Sequence, residues 1–312
     1  MKRVIKLDFA DFWPGFDKED NYFVNLLSPH YDVRIVNDPE FVVYSNFGKE
    51  YRKYRCVRVF YTGDCVFPDF NECDYSFDFE FMESPEHYRL PHYALYGDPT
   101  EIVRPPDLDP LAVLSEKTGF CSFVVSNPRS QERNEFLRKL SEYKQVASGG
   151  RFANNVGGPV KDKVEFVRKH KFDMAFENQA HPGYTTEKIF QSMKACSVPI
   201  YWGNPLVHLD FNPKSFINAH DFPSMDALVE HVIKVDQDDD LYLEYLRQPC
   251  YHGNRVNEFV LPENVLGQFH RIFSTRKTPV ARKHRFKVAV LRGFRLCRQA
   301  WWTLMAMKQR NP

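Results

Sequence analysis

The residues best equipped for chemistry lie between 176 and 188, Phe176-Glu177-Asn178-Gln179-Ala180-His181-Pro182-Gly183-Tyr184-Thr185-Thr186-Glu187-Lys188. An apolar strand ends, a polar loop containing Gly and Pro turns, and a helix starts at Thr186 or just before it. A helix N-terminus offers unpaired N–H groups and the positive end of a dipole, which suit a phosphate. Lys188 adds a full cation in the first turn, and Tyr184 an aromatic face and a hydroxyl. Glu187 is acidic, so it suits sugar or ribose hydroxyls rather than phosphate. Upstream, Ser126-Asn127-Pro128 closes another strand and Arg133 opens a helix, where a guanidinium can pair bidentately with a phosphate. On spacing alone the same residues also describe a helix capped by Thr185 or Thr186, with Glu187, Lys188 and Arg133 as surface charges. The loop Ser148-Gly149-Gly150-Arg151 is too short to be a nucleotide fingerprint by itself.

These residues sit on the elements of an α/β chain. Strands are expected at Val4–Leu7, Asp32–Val36, Glu40–Tyr44, Cys56–Tyr61, Tyr75–Phe81, Phe120–Val125, Gln145–Ala147, Phe172–Phe176 and Val198–Trp202. Helical spacing covers Arg133–Tyr143, Thr186–Cys196, Ser224–Val235 and Asp240–Leu246. Strand–helix–strand alternation predicts parallel sheets covered on both faces, with ligands at the carboxyl ends of the strands after Val125, Phe176 and Trp202. The Pro-rich segment from Pro91 to Pro110 puts a domain boundary near Asp107–Thr118. The organisation expected is residues 1–117 and 118–275 as two domains, followed by a tail, 276–312.

The chain has 312 residues, 43% hydrophobic, 27% charged and 15% aromatic, which excludes wholesale disorder. Its length suggests two domains, since single cores rarely exceed about 250 residues. The net charge of +1 conceals a split. From Arg276 onward there are 11 Lys/Arg and no Asp/Glu, while residues 1–275 carry 31 Lys/Arg against 41 Asp/Glu, a net of −10. No apolar run reaches the length of a membrane-spanning helix, and the N-terminal segment MKRVIKLDFADFW reads as neither signal peptide nor anchor. Seven scattered cysteines without a CxxC suit a reducing compartment and no structural zinc. In the tail, Phe286, Val290, Phe294, Cys297, Trp301 and Leu304 fall on one helical face, with Arg285, Arg292 and Arg295 opposite and Lys287 and Arg298 near the seam. That pattern predicts an in-plane amphipathic anchor, residues 283–307, on an anionic membrane surface. A terminal helix docked on the body or on a second subunit is the other reading. Nucleic-acid binding would not explain the aromatic stripe.

The blocks Phe176-Glu177-Asn178, Gly183-Tyr184-x-Thr186-Glu187-Lys188 and Val198-Pro199-Ile200-Tyr201-Trp202-Gly203 together resemble the signature of the α-1,3/4-fucosyltransferases, particularly the bacterial, Helicobacter-type enzymes. Arg58-Val59-Phe60-Tyr61-Thr62-Gly63 followed by an acid, Ser122-Phe123-x-x-Ser126-Asn127-Pro128, Arg133-Asn134, Asp210-Phe211-Asn212-Pro213-Lys214-Ser215-Phe216 and His220-Asp221-Phe222 extend the likeness in consistent order from about Cys56 to Asp221. The resemblance implies a glycosyltransferase B fold, two Rossmann-like domains facing across a cleft, the first binding the acceptor and the second GDP-fucose. It implies an inverting α-1,3-fucosyltransferase acting on the GlcNAc of a Gal-GlcNAc glycan of the lipopolysaccharide or Lewis type. Arg133 and Lys188 would neutralise the GDP phosphates, Tyr184 contact the diphosphate, Asn178 help build the pocket, and Glu187 hold the ribose or fucose and stabilise an oxocarbenium-like charge. The catalytic base falls on Asp64, where the bacterial relatives carry Glu, one methylene longer. With two cations and a helix terminus for the diphosphate, no metal cofactor is required. A cytoplasmic enzyme, peripheral on the inner face of a bacterial membrane, would follow.

Two readings compete with this: a transferase of the same fold using another nucleotide sugar, and a non-catalytic glycan-binding protein with a degenerate site. The Asp-x-Asp patterns Asp236-Gln237-Asp238 and Asp238-Asp239-Asp240, which bind metal–nucleotide in another glycosyltransferase fold, precede an amphipathic helix here and read as a solvated, N-capping loop. Asp107-Leu108-Asp109 reads the same way.

Overall fold

A computed structural model describes residues 1–275 and 277–282. The chain divides into two units, Met1–His92 with the segment from Glu258 onward, and Tyr93–Asn257. Each is built on one all-parallel sheet.

In the first unit the elements are β1 (Val4–Ala10), α1 (Tyr22–Leu27), β2 (Asp32–Ile35), β3 (Phe41–Tyr44), β4 (Val57–Tyr61), β5 (Tyr75–Asp78) and β6 (His87–Arg89), with sheet order β2-β1-β3-β4-β5-β6. The strands β3, β4 and β5 are buried along their whole length, as expected of parallel strands covered on both faces. The order reverses between β1 and β3, so the loops leaving these two strands part at that point.

The second unit contains α2 (Pro110–Ser115), β7 (Gly119–Phe123), α3 (Gln131–Tyr143), β8 (Val146–Ser148), α4 (Lys163–Arg168), β9 (His170–Phe176), α5 (Glu187–Lys194), β10 (Val198–Trp202), β11 (Ile217–Asn218), α6 (Met225–Gln237) and α7 (Asp239–Arg247), with sheet order β11-β10-β9-β7-β8. Its core joins Phe123, Phe172, Met174, Phe176 and Ile200 of the strands to Phe136 and Leu140 of α3, Leu228 and Val232 of α6, and Tyr242 and Leu246 of α7. Here the order reverses between β7 and β9, which puts the loops bearing Asn127 and Asn178 side by side.

The division of the chain differs from the expected boundaries at residues 117 and 275. The segment after His92 already belongs to the second unit: Arg104 N–H donates to Asn254 Oδ1 at 2.8 Å, Asn254 Nδ2 donates back to Arg104 O at 2.8 Å, and Glu101 pairs with Lys194 at 2.5 Å. The Pro-rich stretch is thus packed rather than a linker. Conversely, α8 (Pro262–Ser274) returns to the first unit, because its apolar face is the cover of that sheet. Phe269 stacks on Phe77 with centroids 4.6 Å apart, Phe273 lies 4.7 Å from Phe41, and Arg3 donates to Phe273 O at 2.8 Å. Residues 277–282 continue along the same unit, with Lys277 on Glu86 (3.2 Å) and Val280 N–H on Asp74 Oδ1 (2.8 Å). The amphipathic segment 283–307 lies outside the described residues.

Candidate active site

The second unit's site forms where β7 and β9 part. Ser130 caps α3 by accepting the Arg133 N–H (3.4 Å), and the first turn then turns the Arg133 side chain under the two loops. Arg133 is fully buried, which sets aside the alternative reading of it as a surface helix charge. Its Nη1 donates to Asn178 Oδ1 at 2.9 Å and to Phe176 O at 3.5 Å, its Nη2 donates to Asn127 O, and its Nε has no hydrogen-bond partner among the described residues. One guanidinium therefore ties the loop after β7 to the loop after β9. Burial pushes its pKa below the ordinary arginine value, opposed by the Glu177 carboxylate and the Tyr184 hydroxyl.

The loop after β9 is organised by Glu177. Its carboxylate is completely buried. Oε1 accepts the Thr186 N–H (2.7 Å), and Oε2 accepts the Thr186 hydroxyl (2.6 Å) and Lys188 Nζ (3.0 Å). Thr186 Oγ1 in turn accepts from Lys188 at 2.8 Å. Thr186 occupies the N-cap of α5 but makes no side-chain cap bond, since its hydroxyl is turned to Glu177 and Lys188. Burial works against the Lys188 charge, yet the Glu177 and Glu187 carboxylates outweigh it and hold the ammonium above its ordinary pKa. Glu187 lies 3.4 Å from Lys188 Nζ and 4.0 Å from Lys163 Nζ, with its side chain 20% exposed. Tyr184 is 3% exposed, its backbone N–H on His181 O at 3.1 Å.

Two residues at the end of β10 complete the scaffold. Asn204, fully buried, accepts from Gly183 N–H (2.8 Å) and donates to Thr185 Oγ1 (3.0 Å), clamping the turn before α5. Gly203 has φ +154, and a Cβ there would sit 2.4 Å from Glu177 Cγ, so glycine is what lets the strand end close over the carboxylate. Behind the site, the buried Asp173 of β9 accepts from Ser122 (2.6 Å) and from Ser192 (2.6 Å) on α5, fixing the helix to the sheet. Structure thus brings Arg133, Asn178, Tyr184, Glu187 and Lys188 into one locality. Glu177, Gly203 and Asn204 carry it and have no assigned role in the sequence reading. Their signal was available: an acid directly after an apolar strand, and a Gly-Asn pair directly after the next one.

In the first unit Asp64 follows β4. Thr62 Oγ1 accepts the Asp64 N–H (3.0 Å), and Asn46, from the loop after β3, donates its Nδ2 to Asp64 Oδ2 (2.9 Å). Gly63 packs against His92, where a Cβ would meet the ring at 2.5 Å, and His92 Nδ1 is 2.6 Å from the Tyr61 hydroxyl. The carboxylate is thus half-buried and held in one pose. Trp13 and Phe47, exposed by 38% and 52%, lie on the loops after β1 and β3; Phe47 adjoins Asn46, and Phe47 N–H donates to Asp11 O at 3.0 Å.

The remaining sequence candidates have structural employment. Asp238 caps α7 on Leu241 N–H (3.1 Å) and Asp109 caps α2 on Leu111 N–H (2.9 Å). Asp236 is buried rather than solvated, paired with Lys144 (2.5 Å) and Lys171 (3.4 Å). At Gly150 a Cβ would lie 2.0 Å from Val125 O, so the Gly149-Gly150 pair serves close backbone approach to β7's exit. Among the described residues no group of three or more His, Cys, Asp or Glu is placed to hold a metal ion.

Comparison with known proteins decides the family. The description "Alpha-(1,3)-fucosyltransferase FucT N-terminal domain" matches residues 7–96, and "Glycosyltransferase family 10 (fucosyltransferase) C-term" matches residues 114–254. The chain belongs to the family 10 fucosyltransferases. It is 33% identical over 285 residues to the alpha-(1,3)-fucosyltransferase FucT of Helicobacter pylori, covering 78% of this chain and 59% of that protein, so this chain spans a little over half of that relative's length. It is 33% identical over 174 residues to alpha-(1,3)-fucosyltransferase 4 of Bos taurus, covering 54% of this chain and 43% of that one. Among solved structures it is similar to an alpha1,3-fucosyltransferase with GDP-fucose, with a TM-score of 0.76 and 26% identity over 89% of this chain and 92% of the other. A further alpha1,3-fucosyltransferase structure gives 0.79 and 27% over 92% and 94%. The two matches together reach both parallel sheets, and the second, over residues 114–254, contains every residue of the Glu177 scaffold.

Proposed function

We propose that this family 10 chain is an inverting α-1,3-fucosyltransferase that moves fucose from GDP-fucose to the GlcNAc of a Gal-GlcNAc glycan. The observation that carries the reading is the junction after β7 and β9, where two buried cations meet the N-terminus of an eight-residue helix: Lys188 pairs with the buried Glu177 carboxylate, and Arg133 ties the two loops through Asn178 and Asn127. A departing diphosphate needs fixed positive charge where its negative charge grows. Lys188, whose side chain is 11% exposed, would meet it directly. Arg133, fully enclosed, would act through its field and by holding Asn178 in place. These groups take the role a metal ion plays elsewhere. Glu187, beside Lys188 and partly exposed, would accept from sugar or ribose hydroxyls. Tyr184 would present its edge to the diphosphate.

Asp64 would take the proton from the acceptor hydroxyl as it attacks, a task worth typically 10²–10⁴ in rate. Asn46 on Asp64 Oδ2 and Thr62 on the Asp64 N–H hold it in place. The exposed Trp13 and Phe47 on neighbouring loops offer apolar faces to a sugar ring. No helix of the described residues is long and apolar enough to cross a membrane. The basic amphipathic segment 283–307 would hold the enzyme on an anionic membrane surface where lipid-linked acceptors reside.

Parallel turnover of GDP-fucose and GDP-mannose with the full chain and N-acetyllactosamine tests the donor assignment. Product from GDP-fucose alone is expected, and turnover of GDP-mannose in preference would overturn it.

A further inference from the structure

We propose that Glu177 is a positioning residue of the donor site, the internal counter-ion that keeps Lys188 charged and aimed and sets the first turn of α5. The proposal rests on the reading of this site as the one that holds the donor diphosphate. A buried carboxylate is expensive unless every lone pair is met by a donor or a cation. Glu177 is met by three donors, all from the first residues of α5 or its cap: Thr186 N–H, Thr186 Oγ1 and Lys188 Nζ. That concentration makes it a clamp on one turn of one helix. It cannot move aside, because Gly203 closes over its Cγ and Trp202 O accepts its own backbone N–H at 2.8 Å.

The chemistry explains why such a clamp is wanted. Lys188 has two acceptors besides Glu177, the Thr186 hydroxyl at 2.8 Å and the Glu187 carboxylate at 3.4 Å. Groups facing it from the neighbouring elements are Arg133 of α3, which repels it, Lys163 of α4 through Glu187, and Tyr201 of β10, which borders Glu177. Without Glu177, a lysine in so enclosed a place, with an arginine nearby, loses its main support, and burial drives its pKa down. A diphosphate arriving at such a site would meet a lysine part-neutral and poorly aimed. With Glu177 in place the cation is preformed, which is what electrostatic catalysis needs.

The two roles, clamp and mere packing, separate by pH. Glu177→Gln keeps the shape but puts an amide N–H₂ where Lys188 needs an acceptor. GDP binding to the full chain, measured calorimetrically, should weaken relative to the unmutated protein by a factor that grows from pH 7 to pH 9, approaching about tenfold per pH unit once the lowered pKa is passed. Taking the ratio at each pH cancels the titration of GDP itself. Glu177→Asp keeps the charge and should return the ratio to one that does not change with pH. If Glu177→Gln does not fold, Thr186→Val, which removes the hydroxyl bridging Glu177 and Lys188, should show the same trend at smaller amplitude. A mutant-to-unmutated ratio that is constant from pH 7 to pH 9 overturns the proposal. Lys188→Met identifies the other failure: if it leaves GDP affinity unchanged at both pH values, the donor-site reading itself is wrong.

Discussion

Removing the ammonium of Lys188 separates what holds this site together from what it binds. Lys188→Met keeps the aliphatic stem and deletes Nζ. The first consequence is for stability. Breaking a buried ion pair from one side destabilises by about 3–5 kcal/mol. Here Glu177 keeps the Thr186 N–H and hydroxyl at 2.7 and 2.6 Å, and Arg133 still bears on it, so the lower end applies. At about 2–4 °C per kcal/mol for a unit of this size, the melting temperature should fall by roughly 6–12 °C. The second consequence is for binding. A hydrogen bond to a charged group contributes about 1.5–3 kcal/mol, so GDP should bind about 10–150-fold more weakly. Calorimetric melting and GDP titration read the two effects on one sample. Adding Glu177→Gln to Lys188→Met neutralises the orphaned carboxylate and should recover part of the lost stability without recovering GDP affinity. An unchanged melting temperature together with unchanged GDP affinity would refute the ion-pair argument, as would a double variant melting below the single one.

Three further outcomes follow from particular side chains. Arg133→Lys retains a charge but cannot reach Asn127 O, Phe176 O and Asn178 Oδ1 at once; turnover should fall about 10-fold or more with a lower melting temperature, and unimpaired turnover would show that the tie between the two loops is dispensable. Burial pushes the Cys56 and Cys250 thiols up to about 11 from 9.0, so at pH 8 each presents about a hundredth of the thiolate of an ordinary cysteine. Iodoacetamide should therefore label them slowly until denaturant is added, and rapid native labelling, followed by mass spectrometry, would contradict their placement. Deleting residues 283–312 should abolish co-flotation with phosphatidylglycerol vesicles while leaving GDP affinity unchanged; retained flotation would remove the tail from membrane attachment.

How far the sequence could be read depended on element length. The strands β7, β9 and β10 and the helices α3, α5, α6 and α7 were legible because apolar runs and 3.6-residue spacing persist over them. The six-residue helices α1 and α4 are too short to show a 3.6-residue period, and β6 and β11, of three and two residues, contain no apolar run. No helix was expected over residues 262–274, and the expected range 118–275 put them with the second sheet, because order along the chain says nothing about which sheet needs an apolar face; Phe77 and Phe41 decide that. At the site, residue types announced cations and hydroxyls, and the structure brings them together. What spacing alone did not disclose is burial. Arg133 and Lys188 read as surface charges on a helical wheel, yet both are enclosed, because Glu177 and Asn178 at the exit of β9 supply the acceptors that make burying them tolerable. Similarly, Asp64 was reached through a family likeness, while Asn46, which fixes it, lies 18 residues away on another strand's loop.

Fucosyl transfer at these residues can be read in a single experiment. The 312-residue protein and its Asp64→Asn variant are incubated with GDP-fucose and N-acetyllactosamine, GDP release is counted, and the product's linkage and anomeric configuration are read by NMR. Expected are one GDP per fucosylated product, fucose on the GlcNAc O3 with inverted configuration, and loss of transfer in Asp64→Asn with GDP affinity intact. No fucosylated product, a retained configuration, or undiminished transfer by Asp64→Asn would contradict it.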